Sequence, residues 1–362
     1  MNILILTGNF GMGHTSAANA IAEKIGNEFE DANVYVVDLF KNAFNSSNYD
    51  IPFRIMIKNG KFLYNQVYRH TEDSEKKKKL PFGKYFTRSL DEMIRKTDAD
   101  VIISTLWSCS QVVSDYKQMT GCSIPLVTCI TDVTSHSEWI QPNTDFYLTA
   151  APKVKTELIR KGINPNRIIV SGVPVRAEFE APYALDRPTQ EKRLLIMGGG
   201  LGLLPKTKSF YERVNRLNGV KTTIITGSNT SLYNALTGRY ENIEVLGFVN
   251  DVPKYMKNAD LIISKPGGIT LFEAISAELP LLSFCPFLEQ EMRNGEFVVE
   301  NNLGRVLPKD PDMWTAKIQD VLNNGELLNE IRANMRQFKT HLDENALLHI
   351  LRDYEIQGAA VC

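Results

Sequence analysis

The sequence predicts an α/β protein of two doubly wound domains, and three observations carry that expectation. Apolar, β-branched runs alternate with helix-patterned stretches from end to end. The alternation lapses in a proline cluster, PVRAEFEAPYALDRP, from Pro174 to Pro188, and then restarts. In each half a strand-like run leads directly into a glycine loop: NILILTGNFGMGH at residues 2–14 and RLLIMGGGLG at 193–202. Parallel strands need long crossovers, and helices between strands supply them.

Taken in order, NILILT (2–7), VYVVDL (34–39), DVIIST (100–105), PLVTCIT (125–131) and DFYLTA (145–150) read as buried strands of the first domain. TSAANAIAEKI (15–25) and FTRSLDEMIRK (86–96) carry helical spacing between them. The second domain repeats the scheme with RLLIMGGG, KTTIITG, IEVLGF, DLIISKPGG, LPLLSF and GRVL. Two such domains imply a ligand cleft at the carboxyl ends of their strands. The proline cluster sets the boundary, giving an N-terminal domain at 1–176 and a second at 177–338.

Composition narrows the function classes. The 362 residues are 43% hydrophobic and 23% charged, which is ordinary for a globular protein. No apolar run approaches the roughly 18 residues that span a bilayer. The N-terminus enters a strand at once, without a basic leader, so a cytoplasmic location is expected. Five scattered cysteines show neither a C-x-x-C pair nor zinc spacing, and read as reduced thiols. The net charge of −1 hides an asymmetry. Arg54–Lys96 holds 12 Lys/Arg against 5 Asp/Glu, net +7, while the remainder holds 29 against 37, net −8. One basic surface on an acidic body argues against nucleic acid as the partner.

Four stretches carry candidate chemistry. Gly8, Gly11 and Gly13 precede His14 where a loop becomes a helix, and a helix start offers unpaired N–H groups and about half a positive charge to a phosphate. The same turn also reads as a plain strand–helix connection, or as a dinucleotide loop with Asp38 ending the next strand, although G-x-x-G-x-G is not the dinucleotide spacing. The second stretch is the Gly199-Gly200 loop, whose next strand ends in Thr226-Gly227 without an acidic residue for a ribose. In the third, SKPGGITLFEAI (264–275), Glu273 either accepts the hydroxyls of a ribose or closes a capping box with Thr270. The fourth, CITDVTSHSEW (129–139), places Asp132, His136 and Trp139 after a strand, as acceptor-recognition groups or, less fittingly, as two ligands of a metal. The D-x-D of Asp98 and Asp100 precedes its strand and reads as a solvated turn.

Together these stretches resemble the GT-B glycosyltransferases of the monogalactosyldiacylglycerol synthase and processive diacylglycerol glucosyltransferase type, which are related to the N-acetylglucosaminyltransferase that forms lipid II. The likeness runs along nearly the whole chain: G-M-G-H (11–14), T-D…H-x-x-W (131–139), G-V-P-V-R (172–176), M-G-G-G (197–200), G-F-V (247–249), K-P-G-G-I-T-L-F-E-A (265–274) and Q-E-x-x-N (290–294). The resemblance implies two Rossmann-like domains facing a central cleft. It also implies a C-terminal segment, 339–362, whose helix (DENALLHILRDYEI, 343–356) crosses back to the first domain.

By the same resemblance Gly11, Gly13, Gly199, Gly200, Gly267, Gly268, Thr270 and Glu273 hold a UDP-sugar, with Glu273 on the ribose. Phe248 and Val249 frame the uracil, Gln290 and Glu291 read the hexose hydroxyls, and Arg176 reaches the diphosphate. His14 and Asp132 lie on the acceptor side as alternative bases, with His136 and Trp139 recognising the acceptor. Three departures stand out. Glu278 occupies a position where such proteins carry glycine, Glu289 stands where a glycine precedes Gln-Glu, and Ala177 replaces a proline.

The implied activity is an inverting transfer of a hexose from a UDP-sugar to a lipid such as diacylglycerol, with no metal and no cofactor. Helix starts and Arg176 would stabilise the leaving diphosphate, and an imidazole suits the proton transfer. Lys/Arg interleaved with Phe62, Tyr64, Tyr68, Phe82, Tyr85 and Phe86 suggests an anionic membrane surface held by Arg54–Lys96 at the inner face of the cell membrane. The rivals are transfer to a polyprenyl-linked or soluble acceptor, a UDP-N-acetylglucosamine 2-epimerase-like isomerase, and a non-catalytic nucleotide-sugar-binding regulator.

Overall fold

Apolar runs long enough to bury both faces become parallel strands, and the helices between them return the chain to the same edge. The structure, a computed structural model, describes residues 1–10, 12–46, 61–73, 83–180, 191–284 and 288–359, with backbone alone at 61–64 and 357–359. Its contacts divide the chain into two compact units, Met1–Arg176 with His341–Cys362, and Ala177–Thr340.

In the first unit β1 (Asn2–Thr7), β2 (Asn33–Asp38), β3 (Val101–Ser104), β4 (Leu126–Cys129), β5 (Phe146–Thr149) and β6 (Ile168–Val170) form one sheet in the order β2-β1-β3-β4-β5-β6. Every pairing is parallel, with Ile3 opposite Val34 on one side and Val101 on the other. The alternation along β1 sorts its side chains. Ile3 and Ile5 join Ile21 and Ile25 of the helix Met12–Glu28, together with Leu347, Ile350 and Leu351 of the helix Ala346–Ala359. Leu4 and Leu6 face the opposite way, onto Phe86 and Leu90 of the helix Gly83–Thr97 and Val112 and Val113 of the helix Trp107–Thr120. Each such side chain fully buried contributes about 1.5–3 kcal/mol. The C-terminal helix is thus part of the first unit's core. Asp343 N–H donates to the Val170 carbonyl at 2.8 Å, Lys24 Nζ donates to the Glu344 carbonyl at 2.6 Å, and Arg352 pairs with Glu28. Strand β6 is missing from the sequence-based expectation because its three residues are too few to show a period.

The second unit holds β7 (Lys192–Met197), β8 (Val220–Ile225), β9 (Ile243–Leu246), β10 (Leu261–Ser264), β11 (Leu281–Ser283) and β12 (Gly304–Val306), in the order β12-β11-β10-β7-β8-β9 and again all parallel. Leu194, Ile196, Ile224, Leu261 and Ile263 pack against Phe210, Trp314 and Ile318. Phe272 and Phe297 each meet Phe338 edge-on where the helices Gly268–Ser276, Glu289–Glu300 and Gly325–Lys339 converge.

Each sheet has one place where the strand order reverses: between β1 and β3 in the first unit, and between β7 and β10 in the second. In the first unit the helix after β1 packs on one face of the sheet and the helix after β3 on the other. The loops leaving neighbouring strands therefore diverge and leave a crevice at the carboxyl edge.

Glu278 keeps the conformation that glycine would supply. Its φ is 52°, in the left-handed region, and its carboxylate pairs with Arg336 at 2.6 Å and Lys339 at 3.0 Å. Left-handed backbone costs a residue with a Cβ about 1–2 kcal/mol, which the two ion pairs offset. Glu278→Ala keeps the strain and loses the pairs, so it should lower stability by about 1 kcal/mol. Glu278→Gly loses both and should stay closer to the parent in urea unfolding. If glycine proved the more damaging of the two, the backbone conformation would not be the governing constraint.

Candidate functional site

His14 sits in the first turn of the helix Met12–Glu28, directly after β1, and it is held from the loop after β3. Its Nδ1 lies 3.0 Å from the Thr105 carbonyl oxygen and 2.9 Å from Thr131 Oγ1. A carbonyl oxygen only accepts, so Nδ1 carries the proton and donates to Thr105, with the Thr131 hydroxyl as a second acceptor. The Thr105 hydroxyl closes the exchange by donating to the His14 carbonyl at 3.0 Å. This clamp assigns the neutral tautomer and leaves the lone pair on Nε2. Burial lowers the imidazole pKa from 6.5 to about 4, against a smaller upward pull from the bond to Thr105. At neutral pH the ring is an uncharged proton acceptor, fixed at the point where the strand order reverses.

The loop after β4 supplies the rest of this corner. Thr131 reaches His14, Asp132 follows it, and the buried Trp139 ring lies 6.4 Å from the imidazole. His136, expected on the acceptor side, is buried in this corner. Only 1% of it is exposed, its Nε2–H donates to the Tyr68 carbonyl at 2.9 Å, and its Nδ1 accepts from the Glu138 N–H at 3.2 Å. It also stacks on the Tyr68 ring at 4.0 Å. With both nitrogens engaged inside the unit, His136 is a fastener between this loop and the helix Lys61–Thr71. Tyr68 Oη to Thr134 Oγ1 at 3.1 Å and Lys161 Nζ to the Glu72 and Ser135 carbonyls at 2.8 and 3.0 Å reinforce the same joint.

In the second unit the glycine loop after β7 interlocks with the loop after β8. A Cβ at Gly202 would fall 1.9 Å from the Thr226 carbonyl oxygen, and its φ is 59°, so only glycine fits. The Gly200 carbonyl accepts from both the N–H and the hydroxyl of Ser228, each at 2.9 Å. Gly199, with φ of 68°, faces the stem of Lys265 across the reversal point, with Lys265 Cε 3.6 Å from where a Cβ would stand.

Lys265 leaves β10 and pairs with Glu291 at 2.6 Å. The fully buried Asn294 donates its Nδ2 to the Pro266 carbonyl at 2.9 Å. The K-P-G-G and Q-E-x-x-N stretches are therefore one assembly, with half-buried Gln290 beside the pair. The helix Gly268–Ser276 begins at Gly267 as N-cap, with no side-chain cap. Thr270 is its third residue and Glu273 lies a turn further on, which excludes the capping box as the reason for Glu273. The helix therefore starts on two glycines, and a helix N-terminus carries the partial positive charge that suits a phosphate. After β9, Phe248 is 57% exposed beside the half-buried Val249, an aromatic face open for stacking. Arg176 is half-buried and closes the first unit's long segment.

Several expectations fall elsewhere. Gly11, the segments 47–60 and 74–82, and 181–190 lie outside the described residues, as do Phe82 and the side chains of Phe62 and Tyr64. Gly13 is half-buried in the first turn beside His14. Asp38 accepts from the Lys41 N–H at 2.9 Å and caps a helix, and Asp100 accepts from the Asn2 N–H at 2.7 Å at the amino edge of the sheet. Among the described residues no group of three or more His, Cys, Asp or Glu is placed to hold a metal ion. No helix among them is long and apolar enough to cross a membrane. The sequence reading gave no role to Thr105, Thr131, Lys265 or Asn294. Thr131, Lys265 and Asn294 were marked only by lying inside motifs, and Thr105 not at all.

Residues 14–175 match the family described as monogalactosyldiacylglycerol (MGDG) synthase, and residues 224–338 match glycosyl transferases group 1. Over 376 aligned residues the chain is 29% identical to a processive diacylglycerol beta-glucosyltransferase of Bacillus licheniformis, covering 98% of this chain and 96% of the relative. Among solved structures, MurG of Acinetobacter baumannii superposes with a TM-score of 0.63 at 16% identity, covering 98% and 99% of the two chains. The spinosyn rhamnosyltransferase SpnG superposes with a TM-score of 0.65 at 15% identity, covering 97% and 100%. These two likenesses establish the GT-B fold.

The His14 clamp predicts a titration. In the folded chain the ring takes its proton near pH 4, and in the unfolded chain near 6.5. As pH falls, the unfolded chain binds the proton first, so the stability present above 6.5 declines between 6.5 and 4. His14→Gln should flatten that decline in urea midpoints, and ¹⁵N-imidazole spectra of the parent should show the Nδ1–H tautomer. A ring titrating at its unperturbed value, or protonated on Nε2, contradicts the geometry.

Proposed function

We propose that this chain, which has the GT-B fold and matches the monogalactosyldiacylglycerol synthase family over residues 14–175 and the group 1 glycosyl transferases over 224–338, moves a hexose from a UDP-sugar to diacylglycerol with inversion and without a metal. The observation that carries the reading is the clamped, neutral His14 with its lone pair on Nε2, at the strand reversal of the lipid-synthase half.

In this reading the acceptor hydroxyl attacks the anomeric carbon as the bond to the diphosphate breaks. The bonding electrons leave with UDP, and the hydroxyl proton passes to His14 Nε2 or to Asp132. A ring with a pKa of about 4 is a weak base in the ligand-free protein. Negative charge brought near it by a diphosphate raises that value, so the base strengthens as the leaving group arrives. Arg176 and the N-terminus of the helix Gly268–Ser276 receive the charge that builds on the leaving oxygen, and each such donor is worth about 3 kcal/mol. Glu273 binds the ribose, Phe248 and Val249 take the uracil, and Gln290 with Glu291 takes the hexose.

The acceptor side is supported by exposed aromatics beside the basic stretch. Phe44 and Tyr85 are exposed and stack at 6.1 Å, and Phe44 runs inward through Phe86 and Phe40 to Phe10 in the loop ahead of His14. Tyr68 and Phe86 are core residues, so the apolar contribution to a membrane contact falls to Phe44 and Tyr85 among the described side chains. The site of action is then the cytoplasmic face of the membrane, reached as a peripheral protein.

Incubating the full chain with UDP-glucose, UDP-galactose or UDP-N-acetylglucosamine and diacylglycerol micelles should release UDP and form a glycolipid with one of them. His14→Ala should lower kcat by about 10²–10⁴ with the donor KM little changed. Glu273→Ala should raise the donor KM by about tenfold. Absence of glycolipid with all three donors defeats the proposal. Separately, the protein should sediment with phosphatidylglycerol vesicles at low salt and be released at high salt. Failure to sediment at low salt removes the membrane part.

A further inference from the structure

We infer that Lys265 is a positioning residue: it fixes the Glu291 carboxylate in the orientation from which the donor hexose is read. The inference rests on the reading above that Glu291 faces the hexose. Lys265 is the first residue after β10, at the strand reversal, and its stem passes Gly199 of the loop after β7, with Cε 3.6 Å from where a Cβ would stand. Its Nζ lies 2.6 Å from Glu291 Oε1, with 23% of the lysine side chain exposed and 7% of the glutamate.

A pair this buried is a weak source of stability, because desolvating both charges cancels most of the attraction. Its physical effect is directional. Removing the lysine takes away the counter-charge 2.6 Å from the carboxylate and loosens the hold on its orientation. Asn294 adds a second tether one turn along the same face of the helix Glu289–Glu300, onto the carbonyl of Pro266, the residue after Lys265. Two consecutive loop residues thus grip two residues of one helix face, and Gln290 is carried by the same helix. Small rotations of a hydroxyl-reading carboxylate suffice to blur glucose against galactose, which differ in one hydroxyl's orientation.

Direct contact of Lys265 with the diphosphate is the competing role, and UDP alone separates the two. In calorimetry with the full chain, Lys265→Met should leave the Kd of UDP within about twofold while removing about tenfold of the extra affinity of the preferred UDP-hexose over UDP. Lys265→Arg should restore most of that increment. Glu291→Gln should match Lys265→Met in lowering the kcat/KM preference between UDP-glucose and UDP-galactose, with thermal melts verifying that each variant is folded. Equal weakening of UDP and UDP-hexose by Lys265→Met overturns the inference in favour of phosphate contact. A preference moved by Glu291→Gln but not by Lys265→Met overturns it alone. A preference moved by neither removes the assignment of Glu291 to the hexose, and this inference with it, while activity itself would still stand.

Discussion

The reversal of strand order in each parallel sheet is the constraint on which the site depends. A parallel strand needs its helix on one face, and the chain can change face only where the order turns back. That happens once per unit, between β1 and β3 and between β7 and β10. At those two places alone do the loops of neighbouring strands part instead of covering each other. His14 meets Thr105 across the first, 91 residues away along the chain, and Gly199 meets Lys265 across the second. Neither encounter depends on the motif's own sequence. Each follows from the order in which strands are laid down.

Both units place an ionisable group at that crevice, and the neighbours of the two differ. His14 has a carbonyl and a hydroxyl for neighbours, neither of which can hold a positive charge in a dry setting, so the ring stays neutral. Lys265 instead has the Glu291 carboxylate 2.6 Å away. The first crevice therefore presents a lone pair, and the second a lysine–glutamate pair beside a helix N-terminus.

The sequence makes most of the frame legible and little of the fastening. Runs such as NILILT and DLIIS declare themselves because both faces are apolar, and glycine loops declare themselves because Gly202 has no substitute at its φ and closeness. The three residues of β6 fall below any period. His136 misleads because an imidazole near a glycosyltransferase motif reads as chemistry, whereas its partners, Tyr68 and Glu138, emerge only on folding. Thr270 and Glu273 stand at capping-box spacing, yet the helix starts three residues earlier, at the glycine. Lys265 and Asn294 were inside quoted motifs without a role, since a role that consists of gripping another loop is a tertiary fact. Glu278 is the converse case. A substitution that looks like a departure keeps the same backbone and finds its pairs on a later helix.

Counting aromatics in the basic stretch shows the same limit from the membrane side. Tyr85 and Phe86 are neighbours in sequence and identical in composition terms, yet the helix Gly83–Thr97 turns one outward, 51% exposed, and the other into the core, 4% exposed. Successive helical residues point about 100° apart, so half of any aromatic-rich helix is spoken for by its own domain. The charges thin out likewise: Arg88 and Arg95 have Glu92 and Asp91 a turn away on the same helix. Surface attraction from these two arginines is correspondingly weaker than the net +7 of the stretch implies. What the fold adds is location. The outward pair, Phe44 and Tyr85, ends a chain of edge-to-face rings that starts in the loop before His14.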